Sequence, residues 1–164
     1  MSALVAKLQE QYEDEYQRSI TPVELRQLDS VESTFTLNKP SYAVLDTANN
    51  KAIHLHGANY QLIPYEKILS GLSNALDEYE IDISDTSIKF NVSQNLNYIK
   101  LRILFGDTGD FGTYSMSHNE NDKLKFGIEV ISSYDASIIF QLRSMFLRLV
   151  CANGMKSFED INSS

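Results

Sequence analysis

At 164 residues the chain has the length of one domain and can bury about 70% of the surface its unfolded form exposes, enough for a core without disulfide or metal staples. Hydrophobic residues are 43% and charged residues 22%, a globular composition that argues against disorder. The net charge is −8, yet residues 1–85 hold 6 Lys and Arg against 14 Asp and Glu, whereas residues 86–164 hold 8 of each. The acidity that would repel nucleic acid is thus confined to the first half, and the second half has room for a basic face.

No apolar run reaches the ~18 residues of a membrane span, and Met1-Ser2-Ala3-Leu4 lacks the basic-then-apolar pattern of a secretory leader. Cys151 is the single cysteine, so no internal disulfide is expected, as suits a reducing cytoplasm. Its apolar surroundings read as those of a buried, inert thiol.

In chain order, Leu4, Val5, Leu8, Tyr12 and Tyr16 recur at helical spacing and predict a peripheral amphipathic helix to about Arg18, with Glu10, Glu13, Asp14 and Glu15 on its wet face. Thr21-Pro22-Val23-Glu24 has the cap, first-turn proline and third-position glutamate of a helix start, predicting a short helix to about Asp29. A connector over 30–41 follows. Tyr42–Leu45 and Ala52–His56 flank Asn49-Asn50 and predict a hairpin. Tyr60–Ile63 reads as a further short strand. After Pro64, the stripe Ile68, Leu69, Leu72, Ala75, Leu76 and Tyr79 predicts a strong helix.

Three segments then alternate with period two. Ile88, Phe90 and Val92 oppose Lys89 and Asn91. Ile99, Leu101, Ile103 and Phe105 oppose Lys100, Arg102 and Leu104. Leu124, Phe126, Ile128 and Val130 oppose Lys123, Lys125, Gly127 and Glu129. These predict antiparallel strands with one packed and one polar face, the first two joined by a turn at Asn95-Leu96-Asn97. The stretch from Gly106 to Asp122 reads as a long exposed loop. Ile138, Ile139, Leu142, Met145, Phe146 and Leu149 predict a last helix from about Ala136 to Cys151, started by Asp135 and closed by Asn153-Gly154. Phe140 and Leu147 lie off its stripe, so that helix is either deeply buried or against another subunit. The expected fold is α+β: an antiparallel sheet with two amphipathic helices on one face and a peripheral N-terminal helical segment. Its expected divisions are an N-terminal segment and connector at 1–41, a core domain at 42–157 and a polar tail at 158–164.

Chemistry-bearing patterns are sparse. His54 and His56 share a strand face, and His118 is a third imidazole, but no Cys or carboxylate spacing completes a zinc pattern. No catalytic residues, metal site or cofactor are assigned. Gly106-Asp107-Thr108-Gly109-Asp110-Phe111-Gly112 lacks the Lys-Ser/Thr ending of a phosphate loop and reads as a connector. The polar sheet face is more informative. Lys89, Lys100, Arg102, Lys123 and Lys125 project together if the alternation holds, with strands about 4.8 Å apart and Glu129 the one acid among them. Cations at that spacing make either a solvated face whose lysines guard the sheet edge or a platform for an anion such as a nucleic-acid backbone. Arg143 and Arg148 are candidate auxiliaries, and Tyr98, Phe111 and Tyr114 are the candidate stacking aromatics.

The run Arg148-Leu149-Val150-Cys151-Ala152-Asn153-Gly154-Met155 resembles the R-L-V-C-x-N-G-M signature of a phage- and plasmid-related family, domain of unknown function 932. Ser132–Ser137 is similar to the turn preceding that signature, and Tyr60-Gln61-Leu62-Ile63-Pro64-Tyr65 to the family's Y-x-V-V-P segment. The resemblance covers about residues 42–155 and implies a mobile-element origin in a bacterial host cytoplasm, without an established activity. Two expectations result. One is a non-enzymatic, oligomerising protein that binds single-stranded nucleic acid in annealing or recombination. The other is a protein-binding module that inhibits or redirects a host factor. Neither involves a membrane.

Overall fold

A computed structural model describes residues 2–28, 41–106, 114–116 and 119–149. The N-terminal stripe forms two helices, α1 (Ala3–Gln11) and α2 (Glu13–Ser19), because the backbone leaves helical angles at Tyr12 (φ −143°, ψ 51°). Leu4 and Leu8 are 1% and 0% exposed. This segment is a wall of the core, not a peripheral helix. Its acidic side chains Glu10, Glu13 and Asp14 are exposed, as their position on the stripe's far face requires.

The helix expected after Thr21 is instead strand β1 (Val23–Leu28), antiparallel to β2 (Ser41–Asp46), which pairs with β3 (Lys51–Gly57) in a three-stranded sheet. The capping pattern loses to tertiary pairing. Thr21 closes the preceding helix by donating to the Gln17 carbonyl at 3.4 Å, and the Pro22 carbonyl accepts from the Thr47 amide at 3.0 Å. Val23 and Leu25 then pack against the core while Glu24 and Arg26 form an ion pair. The β2–β3 hairpin is present as read. Buried Asp46 accepts from the Ala48 and Asn49 amides at 2.9 and 3.0 Å, an Asx turn, and Asn50 takes a positive φ of 50°. Residues 60–63 form no strand.

Helix α3 (Tyr65–Glu78) buries Ile68, Leu69 and Leu76 as its stripe demands, whereas Tyr79, read as the stripe's last member, is the C-cap residue and is 73% exposed. Strands β4 (Thr86–Val92) and β5 (Tyr98–Phe105) alternate as read, with Ile88, Phe90, Val92, Ile99, Leu101, Ile103 and Phe105 all buried. The long loop expected over 106–122 contains β6 (Tyr114–Met116) and the start of β7 (Asn119–Ser133); Gly106 is buried, and residues 107–113 and 117–118 lie outside the described residues.

The predicted last helix is strand β8 (Gln141–Leu149), antiparallel to β7. The turn before it explains why. Asp135 accepts from the Ser137 amide at 2.9 Å, Ala136 adopts φ 58°, and the Ser133 hydroxyl accepts from the Ile138 amide at 2.9 Å. A left-handed residue followed by a clamp back to Ser133 makes a hairpin, so the chain returns along β7. The helix's second capping signal at Asn153-Gly154, Cys151 and the tail at 158–164 lie outside the described residues.

The five-stranded sheet has β7 at its centre. Residues 127–131 of β7 pair with both β5 and β8, and residues 123–124 with both β6 and β8. A strand has two edges, so β8 occupies one and β5 and β6 share the other. Helices α1, α2 and α3 pack on the apolar side of β4 and β5, forming one core that also takes in Val44 of the smaller sheet. The fold is α+β. Of the two helices expected on the sheet's face, α3 is there, and the N-terminal pair takes the place of the helix that became β8.

Candidate nucleic-acid interface

Antiparallel partners share a face, so the registers decide which cations meet. Lys89 of β4 pairs with Arg102 of β5, Arg102 with Glu129 of β7, and Glu129 with Arg143 of β8. One row therefore crosses four strands as Lys-Arg-Glu-Arg. Lys100 stands two residues along from Arg102 on the same face, paired with Asn91 and Ile131. Tyr98, 37% exposed, follows on that face and is an aromatic beside these cations.

Glu129 holds the row together. Its side chain is 5% exposed, and Arg102 Nη2 and Nε lie 2.7 and 3.2 Å from its Oε2. Lys100 Nζ is 3.5 Å from the same oxygen, and Arg143 Nη2 is 2.8 Å from Oε1. Burial by itself would raise the Glu129 pKa. The Arg102 hydrogen bond and the charges of Lys100, Arg102 and Arg143 outweigh it and hold the carboxyl below its ordinary value. The carboxylate stays ionised and relieves the repulsion that three cations on adjacent strands would otherwise suffer. Arg102, 14% exposed, is committed to it, whereas Lys100 at 36% and Arg143 at 55% also reach solvent. Lys89 is exposed. Among the described residues of this row and its neighbour Lys100, three cations surround the carboxylate and Lys89 extends the row, four cations to one acid in a chain whose total charge is −8.

By register Lys125 and Lys123 share this face but lie farther along it, and Arg148 is on the other. Lys125 and Lys123 stand four and six residues from Glu129 along β7, about 14 and 20 Å away. Lys125 is opposite Leu147, and the intervening row of Leu104, Gly127 and Met145 is apolar. Arg148 pairs with Leu124, a register position shared with Phe126–Phe146 and Val130–Leu142 on the opposite face, so it does not belong to this set. Read as helical, Arg143 and Arg148 were equivalent auxiliaries; the strand separates them. The organising role of Glu129 was not evident from sequence, where it stood only as a lone acid among alternating cations.

The histidines make a different cluster. The His56 ring stacks on Tyr60 with centroids 3.6 Å apart, and its Nε2 lies 2.6 Å from the Tyr134 carbonyl oxygen, to which Tyr60 also donates at 3.3 Å. His54, with its centroid 4.9 Å from that of His56, is exposed. This cluster ties the smaller sheet to the end of β7. Among the described residues no three His, Cys, Asp or Glu side chains gather as a metal site. His118, residues 107–112 and Cys151 lie outside them. Also among the described residues, no helix is long and apolar enough to cross a membrane.

No protein-family model, curated protein or solved structure matches the chain.

Proposed function

We propose that this chain is a non-enzymatic binding protein that holds single-stranded nucleic acid by its phosphates on the cationic face of the five-stranded sheet. The observation that carries the reading is the four-strand row Lys89-Arg102-Glu129-Arg143 with Lys100 beside it. Sheet geometry sets Lys89 about 5 Å from Arg102 across strands, Lys100 about 7 Å from Arg102 along β5, and Arg143 about 10 Å from Arg102 beyond Glu129, spacings of the order of successive phosphates in an extended strand. Tyr98 adds a ring on which a base can stack. Phosphate contact explains why so acidic a chain concentrates cations on one face.

Fluorescence anisotropy of a labelled oligothymidine at about 50 mM salt tests this, because counterion release makes phosphate binding strongest there. The double variant Lys89→Glu, Lys100→Glu should bind at least tenfold more weakly. Each lost contact should also lower the slope of log affinity against log salt by roughly 0.7. Lys51→Glu on β3 makes the same reversal at a single site away from the row, half the charge change of the double variant, and should leave affinity within about twofold of the parent. An unmodified protein that binds no oligonucleotide at low salt overturns the proposal, as does a Lys51→Glu loss equal to that of the row variant. Arg102→Glu is the wrong probe: it would press a second carboxylate against buried Glu129 and report folding.

A further inference from the structure

The two long edges of the five-stranded sheet are treated differently. At the β4 edge, side chains from the N-terminal helices occupy the outward carbonyls: the Tyr12 hydroxyl donates to Ile88 O at 2.6 Å and Arg18 Nε to Val92 O at 3.0 Å. Covering an edge in this way prevents other strands from adding to it. At the opposite edge, β8 pairs only with β7 among the described residues. It runs nine residues, Gln141–Leu149, without the proline, glycine or lysine that commonly blunts an edge; of its two arginines, Arg143 is paired with Glu129 and Arg148 falls next to the strand's last residue, at a register position on the apolar side. Its apolar face is also uncovered, with Leu142 59% and Phe146 63% exposed and Phe140 at 41% just before it.

We propose that β8 is a dimerisation edge, pairing antiparallel with β8 of a second copy of this chain about a two-fold axis at Ser144. The sequence of the strand selects the register. Directly opposed residues must share a face, so only pairings whose residue numbers sum to an even value are allowed. A sum of 286 sets Arg143 against Arg143 of the second copy, like charges in contact. A sum of 290 sets Leu142 against Arg148 and Phe146 against Ser144, leaving both apolar groups without apolar partners. A sum of 288 sets Leu142 against Phe146 twice, Ser144 against itself, Arg143 against Met145 and Gln141 against Leu147. Exposed apolar groups then bury one another, and no like charges oppose.

Charge favours the same arrangement. The strand carries no acid, and the acidic helices lie at the far edge, three strand spacings away. In the pair they are separated by roughly 30 Å, well beyond a Debye length of about 10 Å, so the net charge of −8 per chain is little hindrance. Pairing about 30 Å of strand edge together with Leu142, Phe146 and Phe140 of both copies removes on the order of 1,000 Å² from water, the size at which specific interfaces begin. The result is a continuous sheet with both cationic rows on one side. The dimer does not depend on the nucleic-acid reading.

Sedimentation equilibrium of the full chain should give twice the chain mass. Phe146→Glu should give the monomer mass with an unchanged circular dichroism spectrum, since the side chain is mostly exposed. A cross-link reads the register separately. With Cys151→Ser as background, Ser144→Cys should form an intermolecular disulfide under mild oxidation, because opposed Cα atoms lie about 4.5–5.5 Å apart. Gln141→Cys should not, its two copies being six residues out of step, about 20 Å. A monomeric parent overturns the proposal. So does a Phe146→Glu protein that remains dimeric, or a Gln141→Cys protein that cross-links as readily as Ser144→Cys.

Discussion

Arg102 and Glu129 face each other across β5 and β7, with two guanidinium nitrogens 2.7 and 3.2 Å from one carboxylate oxygen and the glutamate side chain 5% exposed. Such a pair is costly to break, because the partner left behind is a poorly solvated charge. Here the survivor is a guanidinium with two further cations close by. The carboxylate therefore stabilises the fold less through its own contacts than by permitting the cations to share a face.

Glu129→Gln should destabilise the protein by about 1–3 kcal/mol in urea denaturation, less than for a fully buried pair because Lys100 and Arg143 can turn to water. The cost should depend on pH. The folded-state pKa of Glu129 lies below its unfolded value, so its contribution is complete above about pH 4.3 and is lost as pH falls through the lower folded value. The stability gap between parent and variant should thus be constant near neutrality and close in acid. A gap that widens on acidification would contradict this assignment. The same substitution adds a net positive charge to the face and should strengthen oligonucleotide binding while weakening the fold, a combination that a purely structural glutamate would not give.

Gly127 lies on the same face in the apolar row, between β5 and β8. A Cβ there would sit 2.7 Å from Leu104 Cδ2, 2.8 Å from the Ile103 carbonyl oxygen and 3.0 Å from Met145 Cγ. The two side chains can shift, but the backbone oxygen belongs to the β5–β7 ladder and cannot. Gly127→Ala should therefore cost about 1–3 kcal/mol, despite alanine's lower unfolded-chain entropy. A variant as stable as the parent in urea would show that the strands separate there more easily than the contacts indicate.

The legible parts of the fold are those whose local pattern had one reading. Strands β4 and β5 and helix α3 each carry a single clean period, and Lys89, Lys100 and Arg102 were placed on one face accordingly. The two misread segments each supported both periods. Thr21–Glu24 carries a helix-start pattern, yet Val23 and Leu25 also alternate with Glu24 and Arg26. In 141–149 the helical stripe Leu142, Met145, Phe146, Leu149 coexists with an alternation that pairs Leu142 with Phe146. What decided both was the pairing available elsewhere: β2 for β1, and the free side of β7 for β8. That information is non-local, and it also moved Arg143 into the row and Arg148 out of it.

A final test concerns the junction beside the histidine cluster. Helix α3 begins after Pro64, which offers no side-chain cap, and the first amide of the helix, Tyr65 N–H, donates instead to the Tyr134 hydroxyl at 2.9 Å. Tyr65 in turn donates its own hydroxyl to the Leu96 carbonyl at 3.0 Å, and the two rings stack 3.8 Å apart with both residues buried. Burial first of all raises the pKa of both hydroxyls, so they stay protonated across the ordinary pH range. Removing either hydroxyl leaves the stack intact but orphans different groups. Tyr134→Phe strands a buried amide N–H, which no rotation can satisfy, and should cost about 1–3 kcal/mol. Tyr65→Phe strands a carbonyl, a more tolerated loss, and should cost about 0.5–1.5 kcal/mol. Urea denaturation of the two variants measures the difference. If Tyr65→Phe proves the more damaging, the remote cap on α3 is not what fixes that helix against the end of β7.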